Sequence, residues 1–316
     1  MKVAQQRRLS ISNYFLPIGL IIAFAFAWLS PEPGALLKEQ GLIPWMVVTI
    51  FLVNGYQTRL HQLAGQSRLI KTLLIAIVIN LILSPLIGFS VASLINLSAG
   101  ATLGLILVAS VPTTLSSAIV LTRIAGGDAV KALMLTILLN LIGVFSLPFT
   151  LQLLLEGGGI IELSPWPLLQ KLMLIVLLPF FIGMVVRELT NFSSKNILLS
   201  YLPSLCVLGT VWMSMSASTE TLKTISLQEI GLILLASAVI HTALLLLGWL
   251  SRLIHPSERT EWLALLFTAS QKTLPLAIAA LTALDRSTGP ALVACILFHF
   301  VQLFQDSLLA SKLRQV

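Results

Sequence analysis

Long apolar runs of about 20 residues recur along the whole chain and are separated by short polar stretches. A run of that length is what an α-helix needs to cross the hydrocarbon core of a bilayer. The pattern predicts an all-α membrane protein with ten transmembrane helices, over residues 12–29, 43–58, 69–92, 98–125, 129–154, 167–189, 197–218, 227–252, 260–284 and 289–311. The fourth and ninth differ from the others, because polar residues interrupt each of them near its middle.

These two interruptions are the most informative feature of the pattern. The first is Pro112-Thr-Thr-Leu-Ser-Ser117 and the second is Ser270-Gln-Lys-Thr-Leu-Pro275. Because the bilayer core holds no water for free backbone groups, a broken helix at that depth must be buried in protein or line a cavity. We therefore expect discontinuous fourth and ninth helices that cross each other at the centre of the protein.

The two halves of the chain also repeat each other. Thr114-Leu-x-x-Ala118-Ile119 in the fourth span matches Thr273-Leu-x-x-Ala277-Ile278 in the ninth, and the same offset sets Asn140 against His299. Five spans is an odd number, so the second half enters the membrane from the opposite side. The sequence thus predicts two inverted repeats, over residues 1–156 and 157–316, in a single transporter unit.

A third match, between Leu16-Pro17 and Leu178-Pro179, relates the first span to the sixth. Polar residues near mid-span are concentrated in spans 3, 4, 5, 8, 9 and 10, whereas spans 1, 2, 6 and 7 carry theirs, including Asn54, nearer a membrane face. We expect the first group to form a core domain and the second a mostly lipid-facing panel domain. In such folds, alternating access comes from one bundle rocking against the other.

Composition and charge agree with a membrane protein. Apolar residues make up 57% of the chain, charged residues 10%, and mean hydropathy is +0.99. The net charge of +7 does not indicate nucleic acid, since the basic residues are scattered over short loops. Most of them, such as Lys2, Arg59 and Arg123, lie in loops of one side, against Lys38 and Arg286 on the other. This bias predicts cytoplasmic termini and, for a bacterial chain, the inner membrane.

Lys272 is the costliest residue in this pattern, since a lysine at mid-helix is unfavourable by about 2.5–3.5 kcal/mol. Its ammonium could lie against the carbonyl ends of the interrupted helices, where a bound metal cation would otherwise be held. The alternatives are a ligand for a substrate anion and a titrating coupling group.

The interruptions also supply groups for other ligands. The restarting helices near Leu115, Ser116, Thr273 and Leu274 offer free N–H groups to an anion, and Pro275 suits a helix start. Oxygens that could bind sodium belong to Thr113, Thr114, Ser116, Ser117, Ser270 and Gln271. The alternative is that these side chains only satisfy freed backbone groups.

On the tenth span, His299, Gln302 and Asp306 share one face and could relay protons, or could simply pack. Asp306 is close enough to the cytoplasmic end to be an interfacial group. For His241 we expect a buried histidine whose hydrogen bonds are satisfied. No enzyme or nucleotide-binding motif occurs, and the sequence predicts no enzyme activity and no cofactor beyond a bound sodium ion.

The chain resembles the bile acid:sodium symporter family, and in particular its divergent SBF-like branch, grouped with cation/proton antiporter-type folds. The strings that carry the resemblance are Pro112-x-x-x-Ser116-Ser117-Ala118, with Thr122 and Gly126-Gly127-Asp128, and Ser270-x-Lys272-Thr273-Leu274. The resemblance implies substrate between panel and core and sodium sites behind the crossover. It places Ser117 and Thr136 at sodium ligands, Asn80 at a glutamine ligand, and Leu115 and Thr273 at substrate-facing helix starts.

The chain departs from that family at four positions. Ala118 replaces an asparagine, Ala132 a serine, Thr268 a glutamate and Lys272 a glutamine, so strict two-sodium coupling is not expected. The predicted ion-binding residues are Asn80, Ser116, Ser117, Thr136, Asn140, Thr268, Ser270, Gln271 and Lys272. The predicted substrate-binding residues are Pro112, Thr113, Thr114, Leu115, Thr273, Leu274, His299 and Asn54.

Together these features favour a secondary transporter for a small organic anion, driven by sodium or another cation gradient. Two alternatives remain open from the sequence. One is a cation/proton exchanger that uses Lys272, His299 and Asp306 and has no organic substrate. The other is a regulatory membrane protein that kept the fold and lost transport.

Overall fold

A computed structural model describes residues 15, 18–58, 69–159, 163–190, 197–223, 225–284 and 289–314. Within these ranges all regular structure is helical, and no strand occurs. The helices are α1 (Ile18–Leu29), α2 (Pro31–Glu39), α3 (Leu42–Gln57), α4 (Ile70–Leu94), α5 (Ala99–Ser110), α6 (Ser117–Ile124), α7 (Ala129–Gly157), α8 (Pro165–Leu189), α9 (Ile197–Ser216), α10 (Thr219–Lys223), α11 (Leu227–Ile254), α12 (Arg259–Ser270), α13 (Leu274–Ala283) and α14 (Gly289–Arg314).

Apart from the two interruptions and a few end residues, the ten predicted apolar stretches are helical in the ranges that the structure describes. Among the described residues, six helical segments are long and apolar enough to cross a membrane, or seven if the bent pair α1 and α2 is one span. The helices α3 and α5 are apolar but shorter. The protein is therefore an integral, multi-pass membrane protein. Leu16-Pro17, Lys2, Arg59 and Arg286, which carried part of the repeat and charge arguments, lie outside the described residues.

The helix α2 was not expected, because the sequence predicts a connection between residues 29 and 43. The chain bends by 98° between α1 and α2. Local signals explain the extra helix: Pro31 stands at its start, Glu32 lies in its first turn and Lys38 in its last. A helix of nine residues is too short to appear as an apolar run in the sequence. Its signals are the proline at its start and the charged residues in its first and last turns.

The most extensive helix packing involves α3 and α5. The helix α3 packs against α8 and α9, and α5 packs against α4 and α14, while α11 packs against α12 and α14. Backbone contact is closest between α3 and α8. A Cβ atom added at Gly55 would lie 1.9 Å from the carbonyl oxygen of Phe180, and one at Gly183 would lie 2.0 Å from that of Leu52. These two positions accept only glycine, as at close helix crossings in membranes.

Both predicted interruptions are present. The chain is non-helical between Ser110 and Ser117, and again between Ser270 and Leu274. In the segment Arg259–Ala283, 94% of the most apolar stretch is buried inside the protein. The buried share of the corresponding stretch is 33–61% in the other five spanning segments. The broken backbone of the second interruption is thus enclosed by protein and does not face lipid, as free backbone groups at that depth require.

Candidate functional site

The first break follows from Pro112. Proline disfavours helical geometry at the residue before it, and Val111 is accordingly extended, with φ −69° and ψ 151°. The second break also begins with an extended residue, Gln271, which has φ −74° and ψ 154°. The helix α13 then begins at Leu274 with Pro275 in its first turn, as the sequence predicts.

The two breaks are in direct contact. The Thr273 N–H donates to the Pro112 carbonyl at 2.9 Å, and Lys272 Nζ lies 3.0 Å from the Val111 carbonyl oxygen. These bonds join positions far apart in the sequence, so neither break is a local irregularity of its own helix. The expectation that the two unwound stretches meet is confirmed.

Lys272 is fully buried, and its nitrogen is surrounded by backbone oxygen. In addition to Val111, it donates to the carbonyl of Asn80 at 2.6 Å. The side-chain amide of Asn80 in turn donates to the carbonyls of Ala269 at 2.9 Å and Gln271 at 3.0 Å. These carbonyls belong to the C-terminal end of α12, where backbone acceptors have no partner within the helix. Asn80 therefore caps the helix whose break carries Lys272.

A π-helical turn in α4 makes the Asn80 carbonyl available. Residues Val78–Leu83 form this turn. The Ser84 N–H donates to the carbonyl of Ile79, whereas in a regular α-helix it would donate to the carbonyl of Asn80. The next donor in the π pattern would be Pro85, which has no N–H. The Asn80 oxygen is left without a backbone donor and accepts from Lys272.

Gln302 holds the second break from the other side. Its Oε1 accepts from the Lys272 N–H at 2.9 Å, and its Nε2 donates to the Lys272 carbonyl at 2.8 Å. The same Nε2 lies 2.8 Å from Nδ1 of His299. Because an amide nitrogen only donates, Nδ1 of His299 is the acceptor of this bond. The imidazole proton of His299 is therefore on Nε2, and this nitrogen is buried without a hydrogen-bond partner.

A chain of polar side chains leads from the breaks into the protein. Ser117 Oγ donates to Gln271 Oε1 at 2.7 Å, Gln271 Nε2 donates to Asp306 at 2.7 Å, and Asp306 lies 2.8 Å from His241 Nε2. Asp306 and His241 are both fully buried. The alternative of an interfacial, exposed Asp306 is wrong, because the carboxylate is fully buried and α14 packs against α11. The expectation of a satisfied His241 is wrong for one nitrogen, Nδ1, which is buried without a partner.

Beside the first break, Asn140 joins α7 to the unwound chain. Its amide donates to the carbonyls of Thr113 at 2.8 Å and Thr136 at 2.9 Å. The hydroxyl oxygens of Thr113 and Thr136 are buried and have no hydrogen-bond partner. Such oxygens are suitable ligands for a hard cation such as sodium.

Other predicted site residues take different positions. The hydroxyls of Thr268 and Ser270 donate to Ala264 and Leu266 of their own helix, at 2.7 and 2.8 Å. Thr114, Thr273 and Leu274 are buried, whereas Leu115 is half-buried and Ser116 is exposed. The first break thus reaches the protein surface at Ser116.

Asn54 is not part of this cluster as the described contacts define it. It is half-buried on α3, and its carbonyl accepts from Thr58 Oγ1. The helix α3 does pack against α13, so the two lie on neighbouring elements.

Two contributors to the site were not assigned a role from the sequence. The sequence places Gln302 on the same helix face as His299, but it does not indicate that Gln302 binds the backbone of Lys272. It also assigns no role to Pro85. The available signal for Pro85 is its place five residues after Asn80, the spacing at which it removes a π-helical donor.

Broken helices that meet in a buried polar cluster are typical of secondary membrane transporters. Comparison with known proteins gives the family: residues 13–315 match the SBF-like CPA transporter family. The chain belongs to this family, a divergent branch of the bile acid:sodium symporters, and it is a transporter and not an enzyme.

Curated relatives carry names of the same kind. The "Probable sodium/metabolite cotransporter BASS4, chloroplastic" of Oryza sativa subsp. indica is 28% identical over 95% of this chain and 75% of that protein. Its Arabidopsis thaliana counterpart of the same name is 28% identical over 95% of this chain and 72% of that protein. "Sodium/bile acid cotransporter 7-B" of Xenopus laevis is 26% identical over 83% of this chain and 79% of that protein.

Proposed function

We propose that the protein is a secondary active transporter of a small organic anion, working by alternating access and driven by a sodium or other cation gradient. The observation that carries this proposal is the direct contact of the two breaks, at Thr273 N–H to Pro112 carbonyl. From that contact the helices α6 and α13 restart, and helix N-termini attract anions. Leu115 and Ser116, at the half-buried to exposed start of α6, give the anion a route to this point.

The architecture that suits this cycle is two inverted five-helix repeats, over residues 1–156 and 157–316. The grouping of α3 with α8 and α9 supports a panel domain, and the grouping of α4, α5, α11, α12 and α14 supports a core domain. Rocking of one against the other would move the substrate past the breaks. We further propose cytoplasmic termini and, for a bacterial chain, the inner membrane, on the charge bias of the loops.

Sodium is the favoured coupling ion on the side of the first break. The relatives' names include sodium, and Thr136 and Thr113 offer buried hydroxyl oxygens that no protein donor uses. Ser117 Oγ lies on the same stretch, at the start of α6. With the carbonyls near them, these oxygens fit a small hard cation.

The direct test is uptake of a radiolabelled organic-anion library into proteoliposomes that hold the purified protein. Accumulation of at least one anion is expected with an inward sodium or proton gradient and not without it. If no anion accumulates under any gradient, the proposed function is wrong.

Once a substrate is known, Thr136→Val tests the sodium site. Loss of one oxygen ligand without change of volume should raise the half-saturating sodium concentration about tenfold, as expected for about 1.4 kcal/mol. The matched control is Thr210→Val, because Thr210 is also buried but its hydroxyl donates to Cys206 of its own helix. An equal effect of both changes would remove Thr136 from the proposed site.

A cation/proton exchanger is the second candidate, favoured by the buried chain from Ser117 through Gln271 and Asp306 to His241. Buried ionisable side chains in a membrane are typical of proton pathways. This candidate predicts proton flux in substrate-free vesicles on addition of sodium or potassium, and loss of that flux in His241→Gln. Vesicles without any cation-induced flux would exclude it.

A further inference from the structure

We infer that the side-chain nitrogen of Lys272 takes the place of a metal cation at the second break, so that this break binds no sodium. The inference refines the coupling part of the proposed function. It concerns ion binding, however, and can be tested whether or not a substrate is found.

The first step concerns the oxygens at this break. In broken-helix transporters, unwound carbonyls and the C-terminal ends of half-helices are the groups that coordinate sodium. The second break has both kinds, because α12 ends there and Asn80 and Val111 direct free carbonyls to it. Without a lysine, this set of oxygens would suit a hard cation.

The second step is that nitrogen donors already occupy these oxygens. Lys272 Nζ lies 2.6 Å from the Asn80 oxygen and 3.0 Å from the Val111 oxygen. The amide of Asn80 takes the carbonyls of Ala269 and Gln271, and that of Gln302 takes the carbonyl of Lys272. A sodium ion could bind here only if the lysine nitrogen left both carbonyls, and Lys272 is fully buried.

The third step is that the surrounding structure is built to hold the lysine. The π-helical turn in α4 and the missing N–H of Pro85 leave the Asn80 carbonyl free for Lys272 alone. Gln302 fixes the Lys272 backbone through both its N–H and its carbonyl. By contrast, the hydroxyls of Thr113 and Thr136 beside the first break have no donor. Sodium binding should therefore be confined to the first break.

The experiment compares sodium with choline, at equal ionic strength, in thermal unfolding of the purified protein in detergent. In Lys272→Gln the shorter, uncharged amide no longer fills the place of the lysine nitrogen and offers an oxygen of its own to a cation, so the variant should gain a sodium site. The exchange of choline for sodium should then raise its Tm by about 2–4 °C more than that of the wild type, and in a saturable way.

Lys171→Gln is the matched control. Lys171 Nζ also donates to a helix-terminal carbonyl, that of Ala283 at 2.8 Å, but in an exposed position where water replaces it. This variant should respond to sodium as the wild type does. Equal sodium-induced shifts in the wild type and Lys272→Gln would overturn the inference.

A second measurement covers the case in which Lys272→Gln does not fold. Binding of ²²Na⁺ to the wild-type protein should saturate at no more than a single ion per chain, and Thr136→Val should raise its half-saturating sodium concentration about tenfold. Binding that Thr136→Val leaves unchanged, or a second ion per chain, would overturn the inference. Neither readout requires flux, so a failed transport assay with this binding pattern would reject the proposed function and leave the inference standing.

Discussion

Replacing Gln302 with leucine should lower the free energy of unfolding by about 2–5 kcal/mol, since it leaves two buried backbone groups unpaired. These groups are the N–H and the carbonyl of Lys272, which Gln302 binds at 2.9 and 2.8 Å. Leucine has a similar volume, so the loss reports hydrogen bonding rather than a cavity. Thermal unfolding in detergent measures it, and transport should fall with it because the break loses its fixed geometry.

Gln305→Leu is the control for this change. Gln305 lies one turn further along α14, and its amide donates to the Thr242 hydroxyl in a part-exposed position. Its replacement should cost less than about 1 kcal/mol, because it leaves no backbone group unpaired and the Thr242 hydroxyl can bond to a carbonyl of its own helix. If Gln302→Leu were no more costly than Gln305→Leu, Gln302 would not be what holds the second break.

The second large effect is expected from the pair of His241 and Asp306. Asp306→Leu should lower the free energy of unfolding by about 3–5 kcal/mol, because a buried ionisable partner loses its counterpart. Asp306 binds His241 with one oxygen and Gln271 with the other, and no side chain of the pair reaches solvent.

A double-mutant cycle with His241→Leu separates pairing from packing. The double variant should be less destabilised than the sum of the single variants by about 1–3 kcal/mol, since the buried pair is then replaced by apolar groups. Ser251→Ala gives the reference, because Ser251 lies on the same helix α11 but donates to Gly248. Its effect should add to that of Asp306→Leu. A coupling energy near zero for His241 and Asp306 would show that the contact contributes nothing.

Much of the fold was readable from periodicity and length alone. Apolar runs of about 20 residues identify membrane helices because the bilayer sets their length. The two breaks were predicted from polar residues and prolines at Pro112 and Pro275, and both occur. The helix α2 was missed, since nine residues with charges at both ends are too short to stand out in a hydropathy pattern.

The site was only partly readable. A lysine within a membrane is energetically unfavourable, so the sequence predicts that Lys272 has a hydrogen-bond partner. Its acceptors, the carbonyls of Asn80 and Val111, depend on which helices pack beside the break. Asp306 was placed by its distance from the end of a span, a measure of depth that ignores whether a neighbouring helix covers the side chain. The bond from Gln271 to Asp306 connects residues of different helices and has no signature in either segment.

The sequence by itself determined that this chain spans a membrane, that two of its helices are broken, and that a lysine sits in one break. Hydrophobicity, proline geometry and the cost of a buried charge are properties of individual residues and do not depend on the tertiary structure. Only the tertiary structure decided which oxygens receive the lysine and which carboxylate binds Gln271 at the second break. Hydrogen bonds at 2.6–3.0 Å are set by the relative position of separate helices, which no single segment encodes.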